Sequence, residues 1–464
     1  GSVAGTLNWT NGNGIETFDI PITADTLTEG NETIVLSLSN CQEGQTSPLS
    51  CDNSITQATA TVTIVDKISE VIDALCANPT GDLVAICTTI YNSGLTDQQL
   101  IEIIEAVIPS QVSAQGNLAV DFGFQQLKVI HGRIATLRSN QGSKNRISLA
   151  GLSLSLSGQN IPLGEFIEGF LTQTLIGESA DEPFRDSRLG FFVKGQVNLG
   201  NKDSSSNETG FDVSSKGITF GLDYQFTDQF LAGISAGYGY SNIDYERGAG
   251  EMEAHLGSFS LYGSYYLPQD FYIDWVLGYS INAYDSERNI SFTGFKSIAN
   301  SDPFGSQYAG SFGFGKDFFV KNLFLSPYVR FEYLYTEIDD YNESGGGGFA
   351  LHLDEQSIYS AATTLGAQIS QSISMPWGIV TPGVRFEWLH QFEDDERNIN
   401  TRFISGGRSF LVSTDAPDRD YFNLGASLAI TLPEGKSAFL RYESRLGQTD
   451  VMSHTIEASV RVPF

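Results

Sequence analysis

From Arg188 to Phe464 the chain repeats one unit: an extended run alternating apolar and polar residues, then a turn. About twelve such runs begin near Arg188, Phe211, Gln229, Glu251, Phe271, Phe304, Leu323, Gln356, Trp377, Arg419, Lys436 and Val451. The connections sort by parity. One set is short: FTDQF (226–230), LPQDF (267–271), VKNLF (320–324), SMPWG (374–378) and LPEGK (432–436). The other includes the long polar stretches 285–302, 337–355 and 393–418. Period-two alternation gives each strand one apolar and one polar face. Short turns at one end and long loops at the other, with an even strand count, are the asymmetry of a membrane-spanning β-barrel, apolar face to lipid and polar face to the lumen. An Ig-like or jelly-roll array would not sort its loops in this way.

The faces agree from strand to strand. Ile218, Phe220, Leu222 and Tyr224 oppose Gly217, Thr219, Gly221, Asp223 and Gln225. Ile234, Ala236, Tyr238 and Tyr240 oppose Gly233, Ser235, Gly237 and Gly239, and Phe312 and Phe314 oppose Ser311, Gly313, Gly315 and Asp317. Small residues on the polar face leave room for something bulky inside. Phe226, Phe230, Phe271, Phe324 and Trp377 stand near the short turns, where interfacial aromatic girdles are expected. The last strand carries Ile456, Ala458, Val460, Val462 and Phe464 on its apolar face.

Three strands echo one another: PYVRFEYLY (327–335), PGVRFEWLH (382–390) and AFLRYESRL (438–446). They set Arg330 and Glu332, Arg385 and Glu387, and Arg441 and Glu443 at one strand position. A lipid-facing Arg costs about 2–4 kcal/mol at the midplane, so these six are predicted to ring the lumen. Such a ring serves as a clasp for a threaded helix, as a polar pathway for a passing chain, or as salt-bridge filling.

Residues 117–139, NLAVDFGFQQLKVIHGRIATLRS, read as a helix. At 1.5 Å per residue it spans roughly 34 Å, about a bilayer core. It bears Lys128, His131, Arg133 and Arg138, so it cannot face lipid. An ordinary soluble amphipathic helix has the same pattern; the barrel downstream favours a basic helix threaded through an acidic pore. Residues 67–116 read as a helical connector, with Ile68, Val71, Ile72 and Leu75, then Leu100, Ile103, Ile104 and Val107, at helical spacing. In 141–187, Leu149, Leu152, Leu154 and Leu156 alternate with Ser, and 166–176 reads as helical, leaving it or 117–139 to fill the lumen.

The net charge of −29 argues against nucleic-acid binding. Four cysteines fall in two local pairs, Cys41 with Cys51 and Cys76 with Cys87, which implies two disulfides and an oxidising compartment; free buried thiols are the alternative. No run approaches the length a membrane helix needs. No signal-peptide pattern is visible, and Gly1 starts mid-pattern, so the chain is expected to be the C-terminal part of something longer.

Residues 1–66 hold alternating strands at Leu7–Thr10, Glu16–Ile22, Glu32–Ser39 and Ala58–Asp66. The stretches GTLNW, FDIPITADTLTEGNETIVLSLSN and ATVTIVD resemble the C-terminal two-thirds of a Calx-beta repeat. Asp25, Glu29, Glu32 and Asp66 match acidic positions that bind Ca²⁺ in some members, and hard oxygen ligands suit that ion. A solvated acidic turn accounts for the same residues.

The order of small β module, basic helix, twelve-stranded barrel and terminal Phe resembles a type V secretion autotransporter. QQLKVIHGRIATLR, RLGFFVKGQVNLG, GFDVSSKGITFGLDYQFTDQFLAGISAGYGYSNIDY and the final RVPF carry the likeness, over 117–464. The resemblance implies a mostly β fold, a 12-stranded antiparallel transmembrane barrel with an α-helix in the pore, plus a β-sandwich-like N-terminal module. The expected organisation is a Calx-beta-like repeat (1–66), disulfide-pinned connector (67–116), pore helix (117–140), connector (141–187) and barrel (188–464). It implies a monomeric barrel in outer-membrane lipid that exports an adhesin-like passenger to the cell surface. It also implies contact with periplasmic chaperones and the barrel assembly machinery, the latter reading Phe464, Val462 and Val460. Some members cleave themselves between paired residues in the pore; here Asn140 and Asn145 flank the helix end without an Asn–Asn pair, so no cleavage is expected.

A porin-like channel or a scaffold for a partner protein is the alternative. A barrel enzyme is the third reading, but His255, His352, His390 and His454 have no Ser or Asp at motif spacing. No catalytic residue and no required cofactor is expected; Ca²⁺ in the N-terminal module is the exception weighed.

Overall fold

The computed structural model describes residues 32–37, 59–64, 75–81, 83–84, 87–88, 99, 103, 106–109, 111–140, 153–156, 159–162, 188–205, 207–292, 294–432 and 437–461. Among the described residues, twelve antiparallel strands close into a ring. They are β1 (Leu189–Lys202), β2 (Phe211–Gln225), β3 (Phe230–Tyr245), β4 (Gly250–Tyr266), β5 (Phe271–Phe292), β6 (Phe304–Lys316), β7 (Leu323–Ile338), β8 (Gln356–Gln371), β9 (Gly378–Gln391), β10 (Asp420–Thr431), β11 (Ser437–Leu446) and β12 (Val451–Arg461). Each strand pairs with its sequence neighbours, and β12 closes on β1 from Val451↔Lys202 to Ala458↔Gly195. Every strand begins within one residue of the start its alternation predicts.

Closure removes the unpaired sheet edges that hydrocarbon would not tolerate. The alternating faces then divide sharply. Leu277 is 58% exposed, and Phe312, Leu365, Val384 and Leu440 are more than half exposed, all on the outer face. Arg330, Glu332, Arg385, Glu387, Arg441 and Glu443 are buried inside. An apolar belt of this extent around a polar interior is built for lipid. No helix among the described residues is long and apolar enough to cross a membrane.

The turn asymmetry differs in part from expectation. One end has the five short turns. At the other end, 246–249 and 447–450 are as short, 203–210 is only a little longer, and the remaining three connections carry strands of their own. Phe295–Ser301 pairs back along the end of β5. Tyr341–Asn342, Leu351–Leu353, Asn398–Phe403 and Phe410–Ser413 form a small sheet of their own. Enough apolar residues stand in these stretches to build a core, which a reading centred on their charge overlooks.

That core is shared with the upstream chain. Leu75, Leu83, Cys87, Ile103 and Val107 pack with Phe349, Leu351, Ile399, Phe403 and Phe410. The segment expected to be a connector is therefore half of a cap over the long-loop end of the barrel. Cys76 and Cys87 are disulfide-bonded within it.

Helix α1 (Ser113–Asn140) has 28 residues, starting four residues before the predicted 117. Its length is about 42 Å. Leu154 and Leu156 of the alternating run lie in a strand, Ser153–Leu156, paired with Gln159–Pro162, while Leu149 and Leu152 lie outside the described residues. Glu32 opens the strand Glu32–Ser37, paired with Thr59–Ile64. Asp25, Glu29, Asp66, the Cys41–Cys51 pair, the 166–176 stretch, Asn145, Val462 and Phe464 lie outside the described residues. Val460 is in β12 opposite Ala438.

Candidate functional site

The barrel interior and α1 form one polar assembly. Side chains from α1 reach inward-facing residues on strands all around the ring. Arg133 donates to both carboxylate oxygens of Asp223 on β2, at 2.9 and 3.2 Å. Lys128 Nζ meets Glu443 Oε1 on β11 at 2.6 Å. His131 shares a hydrogen bond of 2.8 Å with Ser311 on β6. Gln307 of β6 donates to the Ala119 carbonyl at 2.9 Å, and Lys194 of β1 to the Val129 carbonyl at 3.2 Å. Arg445 of β11 meets Asp121 at 3.1 Å. A helix bonded to β1, β2, β6 and β11 is enclosed by the ring.

Its C-terminal end is held hardest. Arg138 Nη1 lies 2.5 Å from Asp274 on β5, and its Nε lies 3.4 Å from Asp317 after β6. The guanidinium covers the Tyr272 ring at 3.5 Å, a cation–π contact in a dry setting. Ser264 and Ser326 donate to Asp274 and Asp317 at 2.6 Å, so both oxygens of each carboxylate are engaged. These partners sit by the short turns, so α1 descends from the cap to the short-turn mouth.

Packing matches side chain to side chain. The small residues expected to leave room do so at α1. A Cβ on Gly239 would lie 2.8 Å from the Phe122 ring, and one on Gly237 would lie 2.6 Å from the Gln126 amide. Leu127, Ile130 and Ile134 pack on Phe192, Tyr262 and Leu334. At the upper end Leu118 and Phe122 meet Ile243 and Leu256. A cavity of about 40 Å³ remains beside Asn117, Asp121 and Lys216, room for a few waters. At the outer mouth Gln115 donates to the Tyr341 hydroxyl at 3.1 Å; burial pushes that phenol well above its usual pKa.

The six Arg and Glu residues of the echoed motif face the lumen, but they bond mainly to the wall. Arg330 donates to Glu387 at 2.8 Å, two strands away across β8. Glu387 also accepts from Tyr328 at 2.5 Å and Asn423 at 3.3 Å, and Arg385 stands 3.7 Å off. Glu332 accepts from Thr364 at 2.8 Å. Arg441 pairs with Glu457 on β12 at 3.1 Å, which also faces Lys194 of β1 at 3.8 Å. Of the six, Glu443 is the one that bonds α1 among the described residues.

Sequence reasoning did not single out Asp223, Asp274, Asp317, Lys194 and Glu457 as partners of these charges. Each lay on a polar face, and an acid near a short turn opposite a basic helix was the available sign. Phe324 is corrected: it is buried and packs against Phe319 at 5.2 Å between centroids, and the exposed aromatic there is Phe319. Phe226 and Trp377 are exposed at the turns as expected. The four scattered histidines are not gathered. His255 and His454 bond Tyr238 and Tyr442 hydroxyls, His390 bonds Asp420, and His352 bonds Asn342 and Asp354. Among the described residues no cluster of three His, Cys, Asp or Glu side chains is placed to hold a metal.

The family model described as the autotransporter beta-domain matches residues 191–443. The chain belongs to the autotransporter family. An extracellular serine protease of Serratia marcescens is 24% identical over 266 residues, 55% of this chain and 24% of that protein. Lipase 1 of Photorhabdus luminescens is 26% identical over 255 residues, 53% of this chain and 37% of that one. The chain thus spans a quarter to two-fifths of the length of these two relatives. Among solved structures, the translocator domain of NalP from Neisseria meningitidis aligns with a TM-score of 0.47 at 13% identity, covering 65% of this chain and 95% of that one. The beta domain of the Bordetella autotransporter BrkA gives 0.43 at 21%, covering 60% and 100%. Autotransporter beta-domains are outer-membrane barrels, and the apolar belt of this autotransporter suits that bilayer.

Proposed function

We propose that this autotransporter barrel is a translocator and surface anchor: it brings the chain upstream of α1 across the outer membrane and holds it outside. The observation that carries this reading is the pinning of α1 inside the ring, by Arg138 at one end and by Asp121 and Gln115 towards the other. A helix so held is a chain left in the route it took, with its N-terminal end joined to the long-loop cap. The ring of Arg330, Glu332, Arg385, Glu387, Arg441 and Glu443 serves mainly as wall filling, with Glu443 as clasp.

The porin-like reading needs an open interior, which the enclosed helix and its packing oppose. Relatives named as a serine protease and a lipase match along the barrel part, and we assign neither activity here. We extend the reading to an uncleaved, adhesin-like passenger ending in the Calx-beta-like repeat, with Asp25, Glu29, Glu32 and Asp66 as candidate Ca²⁺ ligands. Phe464, Val462 and Val460 are the proposed contact for the assembly machinery, periplasmic chaperones accompany the unfolded chain, and the barrel works as a monomer.

Two measurements test this. Protease treatment of intact cells should cut upstream of residue 113 and spare the short turns; cutting at the short turns alone would reverse the topology. In planar bilayers the whole chain should conduct rarely, and deletion of 113–140 should open a large steady channel. Equal conductance with and without the helix would remove the plug. For calcium, titration calorimetry of the full chain should show binding that Glu29→Ala abolishes.

A further inference from the structure

The cap has two halves from distant parts of the chain. Leu75, Leu83, Cys87, Ile103 and Val107 come from upstream of α1 and would be exported on the reading above. Phe349, Leu351, Ile399, Phe403 and Phe410 come from connections that belong to the barrel itself. Leu83, Val107, Phe349 and Leu351 are fully buried, and all four belong to this one shared cluster.

Polar contacts fix how the halves meet. Arg288 of β5 forms a two-pronged pair with Glu343, at 2.8 and 2.5 Å. The same guanidinium donates to the Phe349 carbonyl at 2.9 Å and the Val107 carbonyl at 3.3 Å. One buried cation thus joins barrel wall, loop and upstream segment. Tyr245 of β3 donates to the Gln111 carbonyl at 3.1 Å, and Gln111 donates to the Ala249 carbonyl at 3.2 Å. Thr80 donates to the Ser405 carbonyl.

We infer that the barrel's folded outer connections are a docking template for the upstream chain around Leu75, Leu83, Cys87, Ile103 and Val107, and that docking completes export by holding this segment outside. This rests on the translocator reading. Apolar burial is available to the segment only once it has reached that end of the barrel. The Arg288–Glu343 pair offers its spare donor to a backbone carbonyl, so the final contact reads chain position rather than side-chain type. A segment docked in this way resists sliding back and needs no cleavage to stay at the surface.

The test uses the full chain in an outer membrane, with an epitope tag before residue 1. Tag exposure on intact cells reports export, and heat-modifiable gel mobility reports the folded barrel. Leu351→Asp on the template and Val107→Asp on the segment should each cut tag exposure several-fold with the barrel folded. The double variant should lose no more than the worse single one. Val107 is not part of the barrel strands, so its variant remains informative if Leu351→Asp impairs barrel folding. A disulfide between Thr80→Cys and Ser405→Cys should form on intact cells. Normal display by both Asp variants overturns the template idea and leaves the translocator reading in place. A wild-type tag that never reaches the surface overturns both.

Discussion

Arg138 on the last turn of α1 and Asp274 on β5 lie 2.5 Å apart with both side chains about one-twentieth exposed. Removing one partner of such a pair leaves the other charged and dry, which costs more than the pair itself contributes. Arg138→Met should therefore loosen the lower end of α1 by about 3–5 kcal/mol. Single-channel recording should show more frequent openings, and Arg138→Met with Asp274→Asn should recover part of the loss. Unchanged gating would mean the latch does not hold the helix.

Glu387 offers a contrasting case, because it joins the wall to itself. It is fully buried and accepts from Arg330, Tyr328 and Asn423. Glu387→Leu leaves Arg330 with only the longer pair to Glu332, at 3.7 Å, and should cost about 3 kcal/mol in denaturant unfolding from detergent, while Arg330→Met with Glu387→Leu costs less. Channel gating should change little beside Arg138→Met, since neither residue bonds α1.

Shape complementarity to the helix is testable at glycines on one sheet. Gly239→Val pushes into the Phe122 ring and should lower the melting temperature by several degrees, with Phe122→Ala restoring most of it. Gly310, whose Cβ would meet nothing within 4 Å on the outer face, should accept Ala with little change. Equal effects at the two sites would refute a close fit around α1.

Lipid contact predicts an effect that water would not. Leu277 is the most exposed of the outer leucines named here. In bilayers Leu277→Arg should destabilise the barrel by about 2–4 kcal/mol if it lies near the midplane, and less towards either interface. A neutral result in folding titrations into vesicles would argue that the face meets water.

The alternation from Arg188 onward was enough to place the starts of the twelve strands and the faces of those read above, because period two is a local property that survives whatever the strands pair with. The same locality put Arg330, Glu387 and Glu443 inside, since a charge two residues from another shares its face. What the sequence did not reveal is who meets whom. Lys128 finds Glu443 across 315 residues, and Arg330 reaches past β8 to Glu387, because ring closure and strand register set those distances. The cap was hidden for the same reason: Val107 stands on an apolar helical face and Leu351 in a Gly-rich polar loop, and only the folded barrel brings them into one core.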